Sequence, residues 1–281
     1  MSIMHKNKLL PAIALLGGAV GFALRKWELA TAFEPGTGLP ISGMPATITL
    51  AVWSAAIAAA LFLLCRDRKE RLPYDRAFAA EGNSLYLTAA VLSAFLLLAS
   101  AGAEIVTFPI TYQAALSAES SGSRLALTLP PLRIGLCVLG FLCVLMIAGN
   151  LYRAKGRGKE SLPLLGLCLL FCVWLISDYQ GRAADPVILD YVYEVFAIIS
   201  SLLGIYFIAG YSFQTGKPRR TILLSLLGVF FSMVTMADRH SLADLLRYGF
   251  AVVFLTAHAV LLLSDHPAGE RPAETEEPEH A

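Results

Sequence analysis

The sequence predicts an all-α polytopic bundle of eight transmembrane helices, and three observations carry that prediction. Hydrophobic residues make up 57% of the 281-residue chain and charged residues only 15%, with a mean hydropathy of +0.65, too little polarity to coat a water-soluble domain. The apolar residues gather into eight runs of roughly 18 to 23 residues, each about long enough to cross a ~30 Å hydrocarbon core as a helix. The segments between the runs are short. None offers the roughly 50 polar residues of a soluble domain, which excludes a fused kinase, nucleotide-binding or DNA-binding module.

The first span, near 8–26, follows Lys6 and Lys8, as the apolar core of a secretory signal would. Gly21, Ala23 and Leu24 offer no small-x-small cleavage site before Arg25 and Lys26, so the run reads as a retained span. AFEPGTGLP (32–40) comes next, with two glycines around a threonine as in a phosphate loop. It lacks the strand before and the helix-opening glycines after that make backbone N–H groups converge on a phosphate. It reads instead as a turn: Pro35 fixes φ, Gly36 and Gly38 permit positive φ, and Trp27 and Phe33 anchor the approach at the interface.

Span two, near 46–65, leads into a basic loop, and span three follows near 84–105. The loop 106–131 holds Pro109, a serine-rich turn and the pair Pro130 and Pro131; its TYQAALSA segment is expected to form a short re-entrant or interfacial helix. Span four lies near 132–152. The turn after it contains GRGKES (156–161), where Arg153 stands at the first glycine position of a phosphate loop and Glu160 at its hydroxyl position, so it is a basic turn. Spans five to eight lie near 162–180, 191–213, 220–237 and 242–264, and all eight form one domain, 1–264, of four hairpins with no internal repeat. Residues 265–281, rich in Glu, Pro and Ala, read as a disordered acidic tail.

Alternate loops give the orientation. One set carries fifteen Lys and Arg and the other seven, so the first set and both termini are assigned to the cytoplasmic side of the cell membrane. Arg25 and Lys26 are the local exception, placed where long side chains can snorkel to the interface. Eleven acids fall inside and ten outside, leaving the outer face net negative and the inner face net positive.

The stretch KWELATAFEPGTGLPISGMPAT resembles the outer loop after the first span in a group of bacterial inner-membrane proteins of similar length and span number. The resemblance covers about residues 17–60. It implies the topology and a bacterial source, and because that group has no assigned activity it transfers no catalytic residue.

Ionisable groups within spans are costly and therefore point to function. They cluster at the outer ends of the last four helices: Asp178, Arg182, Asp185, Asp190 and Glu194, then Asp238, Arg239, His240, Asp244 and Arg247. On span six Asp190, Glu194, Ala197, Ser201, Gly204 and Ser212 share a helical face; on span seven Ser225, Gly228, Ser232, Thr235 and Arg239 do; on span eight Asp244, Arg247, Ala251 and His258 do. One reading is a water-filled outer vestibule lined by Asp178, Asp190, Glu194, Asp238, Arg239, Asp244 and Arg247 and floored by His258, open to a small polar or cationic solute. The other is structural: small and hydroxyl residues let helices approach closely, and end-of-helix charges pair with one another. Glu104 and Arg133 read as such a pair, and His258 as a neutral imidazole bonded to a carbonyl or hydroxyl.

No catalytic signature accompanies these groups. There is no GxSxG elbow and no HExxH, and the five cysteines, all inside or at the edge of spans, read as packing residues. Cys168 and Cys172, one turn apart, lack the further ligands a metal needs, so neither metal nor cofactor is expected. Three classes remain: a non-enzymatic membrane component (sensor, accessory subunit or scaffold), a permease using the vestibule, and an intramembrane enzyme. The expected partners are the lipid bilayer, other membrane proteins and a small solute, with no nucleic acid.

Overall fold

The structure, a computed structural model, describes residues 3–37, 39–66, 84–120, 129–154, 164–182, 187–213 and 215–264. They form α1 (Ile3–Thr31), α2 (Pro45–Leu64), α3 (Ser84–Ser120), α4 (Leu129–Ala154), α5 (Leu164–Arg182), α6 (Ile188–Ser212), α7 (Pro218–Thr235) and α8 (Leu242–Leu263). Each contains a segment long and apolar enough to cross a bilayer, so the protein is an all-α, multi-pass membrane bundle. Local chemistry starts the helices. Prolines open α2 and α7, where the missing N–H costs nothing, and Ser241 caps α8 by accepting from the Asp244 amide at 3.2 Å.

Helices α3 to α8 pack in sequence order, each on the next, and α8 returns to pack on α3, closing a ring of six. The α1–α2 hairpin lies outside the ring, with α1 seated on α7. In the α7 span 56% of the residues are buried, against 17% in α2, which makes α7 the most enclosed helix and α2 a peripheral one. Aromatic side chains fill the ring: Trp174 and Phe171 of α5 reach across to Tyr248 and Phe250 of α8, with ring centroids 4.8 and 6.2 Å apart. Outward positions such as Leu16, Val52, Phe95 and Leu145 are exposed and apolar, as surfaces bathed in lipid tails are.

Two sequence expectations change here. The third helix does not end at 105: α3 runs through Pro109 to Ser120, so TYQAALSA is helical, as expected, but continues α3 and is no separate re-entrant segment. Thr107 and Thr111 flank the proline, and their hydroxyls bond the carbonyls of Ala103 and Thr107 one turn back. The first helix runs to Thr31, five residues past the expected end of span one, and Arg25 does not reach out to solvent. Its side chain is wholly buried, whereas the neighbouring Lys26 is exposed over the Phe22 ring.

Close packing of α6 on α7 explains the small-residue faces. Ser201 and Gly204 face Gly228 and Ser225 reciprocally: a Cβ on Gly204 would stand 3.1 Å from the Ser225 Cα, and one on Gly228 would stand 3.0 Å from the Ser201 Cα. Gly228→Leu should therefore push the two backbones apart and cost about 1–3 kcal/mol. Gly102→Ala, with nothing within 4 Å of the added Cβ, should cost no stability. Thermal unfolding of both variants in detergent measures the contrast.

Candidate functional site: a charged layer at one end of the bundle

The site starts with Arg25, in the last two turns of α1. Its Nη1 donates to Glu28 Oε2 at 2.7 Å, its Nε to Asp238 Oδ1 at 2.7 Å, and its Nη2 to the Asp190 carbonyl at 2.7 Å. The guanidinium also lies 5.3 Å from the centre of the Tyr193 ring. One side chain thus joins α1 to α6 and to the α7–α8 turn. Only a planar guanidinium has enough donors in fixed directions to do this.

Asp238 passes the network on. Its Oδ2 accepts from the Thr235 hydroxyl at 3.0 Å, and the Thr235 carbonyl lies 2.7 Å from His240 Nε2. The other imidazole nitrogen, Nδ1, faces Glu194 Oε1 at 3.3 Å, and Tyr248 donates to that same carboxylate oxygen at 3.3 Å. The Thr235 carbonyl only accepts, so Nε2 carries a proton, and Nδ1 faces Glu194, so protonation of the ring gives an imidazolium paired with that carboxylate. Burial alone would lower the His240 pKa, but the hydrogen bond and charge of Glu194, the Thr235 carbonyl and the Asp238 charge raise it above 6.5.

A second cluster completes the layer. Arg247 of α8 donates to Asp244 Oδ1 at 2.7 Å and to Glu104 of α3, and it stacks 5.4 Å from the Trp174 ring. Arg133 of α4 donates to the same Glu104 oxygen at 2.9 Å and lies 3.7 Å from Asp244 Oδ1. Asp178 at the end of α5 is close enough to Arg133 for their charges to interact. The ion pairs among the described residues join Arg25, Arg133, Arg247 and His240 to Glu28, Glu104, Glu194, Asp238 and Asp244, with Asp178 close by, so carboxylates outnumber cations in the layer.

The structure therefore gathers most of the candidates named from sequence into one layer: Asp190 through its carbonyl, and Glu194, Asp238, Asp244, Arg247 and Asp178 through their side chains. Arg239 is exposed and pairs with none of the described residues. His258 lies elsewhere, eleven residues along α8 from Arg247, about 16 Å at the rise of an α-helix. Its Nδ1 donates to the Phe254 carbonyl at 2.8 Å, which fixes the tautomer, and Nε2 then accepts from the Tyr86 hydroxyl at 3.2 Å. Tyr86–His258 joins α3 to α8 at one end of their contact as Glu104–Arg247 joins them at the other. Arg182 and Asp185 lie outside the described side chains, as do the GRGKES turn and the acidic tail.

Sequence reasoning passed over Arg25, Glu28 and His240 as site residues. Their signal was available: R-x-x-E on one helical face, with the arginine an exception to the count of basic residues. The AFEPGTGLP turn stands beside the layer and spends its polar groups on itself. Glu34 N donates to the Leu39 carbonyl at 2.9 Å, Thr37 Oγ1 to Glu34 Oε2 at 2.8 Å, and Gly36 holds φ at 110°. Among the described residues no group of three His, Cys, Asp or Glu side chains has the arrangement of a metal site. The chain matches no protein-family model, no curated protein and no solved structure.

Two outcomes follow from the layer. Arg25→Met leaves Glu28 and Asp238 as buried carboxylates without their cation and should destabilise the protein by about 3–5 kcal/mol. Arg133→Met removes a side chain that is 25% exposed while Arg247 still holds Glu104, and should cost nearer 1 kcal/mol. Thermal unfolding in detergent ranks the two. For His240 the folded pKa is raised, so its contribution is fully present below 6.5 and is lost as pH rises through the folded value. Wild type should lose more stability than His240→Asn between about pH 5.5 and pH 8.5, and equal losses would count against the imidazolium.

Proposed function

We propose that this protein is a non-enzymatic component of a bacterial cytoplasmic membrane that works through contacts with other membrane proteins, as a sensor, accessory subunit or scaffold. The excess of basic residues in one set of loops supports a cytoplasmic position for both termini. The bacterial source rests on the resemblance of the AFEPGTGLP loop. The observation that carries the functional reading is the charged layer: its arginines are held by carboxylates of the chain, and the ring beneath it is filled with aromatic side chains. Groups so engaged stabilise a scaffold, and using them on a solute or a scissile bond would require breaking them apart.

A second reading has one observation in its favour. Glu194 and His240 form a protonatable pair within a membrane bundle, the kind of pair a proton-coupled permease for a small polar or cationic solute uses. Purification from the native membrane in mild detergent separates the two. A stoichiometric protein partner is expected from the component reading. A monomeric protein whose solute uptake, after reconstitution in vesicles, disappears in Glu194→Gln and His240→Asn variants that still insert would replace it with the permease.

A further inference from the structure

A groove of about 230 Å³ lies at the end of the bundle opposite the charged layer, where α6 turns into α7. Its walls are Leu165 of α5 and Tyr206, Phe207, Ala209 and Gly210 of α6; its rim is Phe213, Thr215 and Lys217. The apolar wall residues belong to the spans Leu164–Gly181 and Asp190–Ser212, whereas Phe213, Thr215 and Lys217 lie just past the end of the α6 span. The groove therefore runs from the apolar end of the spans to the polar turn beyond them. Tyr206 and Phe213 are each 56% exposed, so it opens sideways toward lipid and not into the ring. Its volume is below the roughly 300–1,000 Å³ of pockets that enclose a whole small molecule, and it suits part of a longer one.

Among the described residues, the charges beside the groove are cationic. Lys217 is at the rim, and Arg220 lies 6.0 Å from the centre of the Phe207 ring that forms the wall. Arg219 turns the other way, over Phe62 of α2 at 4.9 Å. Among the described residues neither Lys217 nor Arg220 has a carboxylate within ion-pair distance, in contrast to Arg25, Arg133 and Arg247 at the other end. The Thr215 hydroxyl is spent on the Gly210 carbonyl at 2.9 Å, which holds the turn and leaves Lys217 as the charged donor of the rim among the described residues.

We propose that this groove binds an anionic phospholipid, with part of an acyl chain along Leu165, Tyr206 and Phe207 and the headgroup phosphate between Lys217 and Arg220. An apolar groove with one cation at its rim and a second over its Phe207 wall matches an anionic amphiphile in polarity. A zwitterionic lipid brings its own cation to the rim and gains less from it, and a soluble anion leaves the apolar wall uncovered.

The test is native mass spectrometry of the full-length protein, delipidated in detergent and titrated with phosphatidylglycerol. One phosphatidylglycerol should be retained per chain at concentrations at least roughly tenfold below those needed for phosphatidylcholine. Lys217→Gln with Arg220→Gln should abolish that preference, each single variant should weaken it, and Lys217→Arg should keep it. Arg66→Gln removes a cation from the same end of the bundle but off the groove and should leave retention unchanged. Equal retention of the two lipids, unchanged retention in the single variants, or an equal loss in Arg66→Gln would overturn the proposal. So would full displacement of the lipid by millimolar inorganic phosphate, which would reveal a site for free anions.

Discussion

A guanidinium with no solvent exposure, inside a bundle that lipid surrounds, has to be neutralised by the protein itself, and Arg25 sets this requirement for the whole charged end. Taking such an ion out of water costs several kcal/mol, which one surface-type pair does not offset. Arg25 meets the cost with two carboxylates, a backbone carbonyl and an aromatic face drawn from α1, α6 and the α7–α8 turn. Each partner is then committed in turn. Asp238 fixes Thr235, Thr235 orients His240, His240 faces Glu194, and Tyr248 and Trp174 carry the contact to Arg247, Glu104 and Arg133. Every helix except α2 contributes to this chain of contacts, so the position of the α1–α2 hairpin on the ring follows from where one cation can be satisfied.

How much of this was legible in the sequence depends on the range of the interaction. The eight spans could be read because hydrocarbon thickness imposes a length on every run. The pairing of Glu104 with Arg133 could be read because consecutive helices joined by a loop bring their ends together. For Arg25 the local pair with Glu28 could have been read, but not its partner Asp238, which is 213 residues away. His258 drew attention by its apolar neighbours, but an isolated buried histidine satisfies itself on its own helix and a tyrosine. His240, in a polar turn, looked ordinary and is the one whose two nitrogens both meet acceptors. Pro109 shows the limit of local rules, since a proline that ends a helix in water can be carried inside a longer one when threonines bond the neighbouring turns.

The two ends of the bundle answer charge in opposite ways. At one end cations are matched to carboxylates and buried, which gives a rigid junction of seven helices. At the other, Lys217 and Arg220 flank an apolar groove with no carboxylate of the described residues to hold them. A protein fixed at one end and open to charged lipid at the other is suited to reporting on its membrane or docking there. That division of labour is the physical content of the component reading, and it depends on the buried junction being a true energetic coupling and not a coincidence of neighbours.

A double-mutant cycle on Arg25 and Asp238 tests that dependence most directly. Unfolding free energies of wild type, Arg25→Met, Asp238→Asn and the double variant would be measured in the same detergent. A junction that works as described gives a favourable coupling of about 2 kcal/mol or more between the two side chains. A coupling within about 0.5 kcal/mol of zero would mean that Arg25 and Asp238 are merely adjacent, and the account of the charged layer would fail with it.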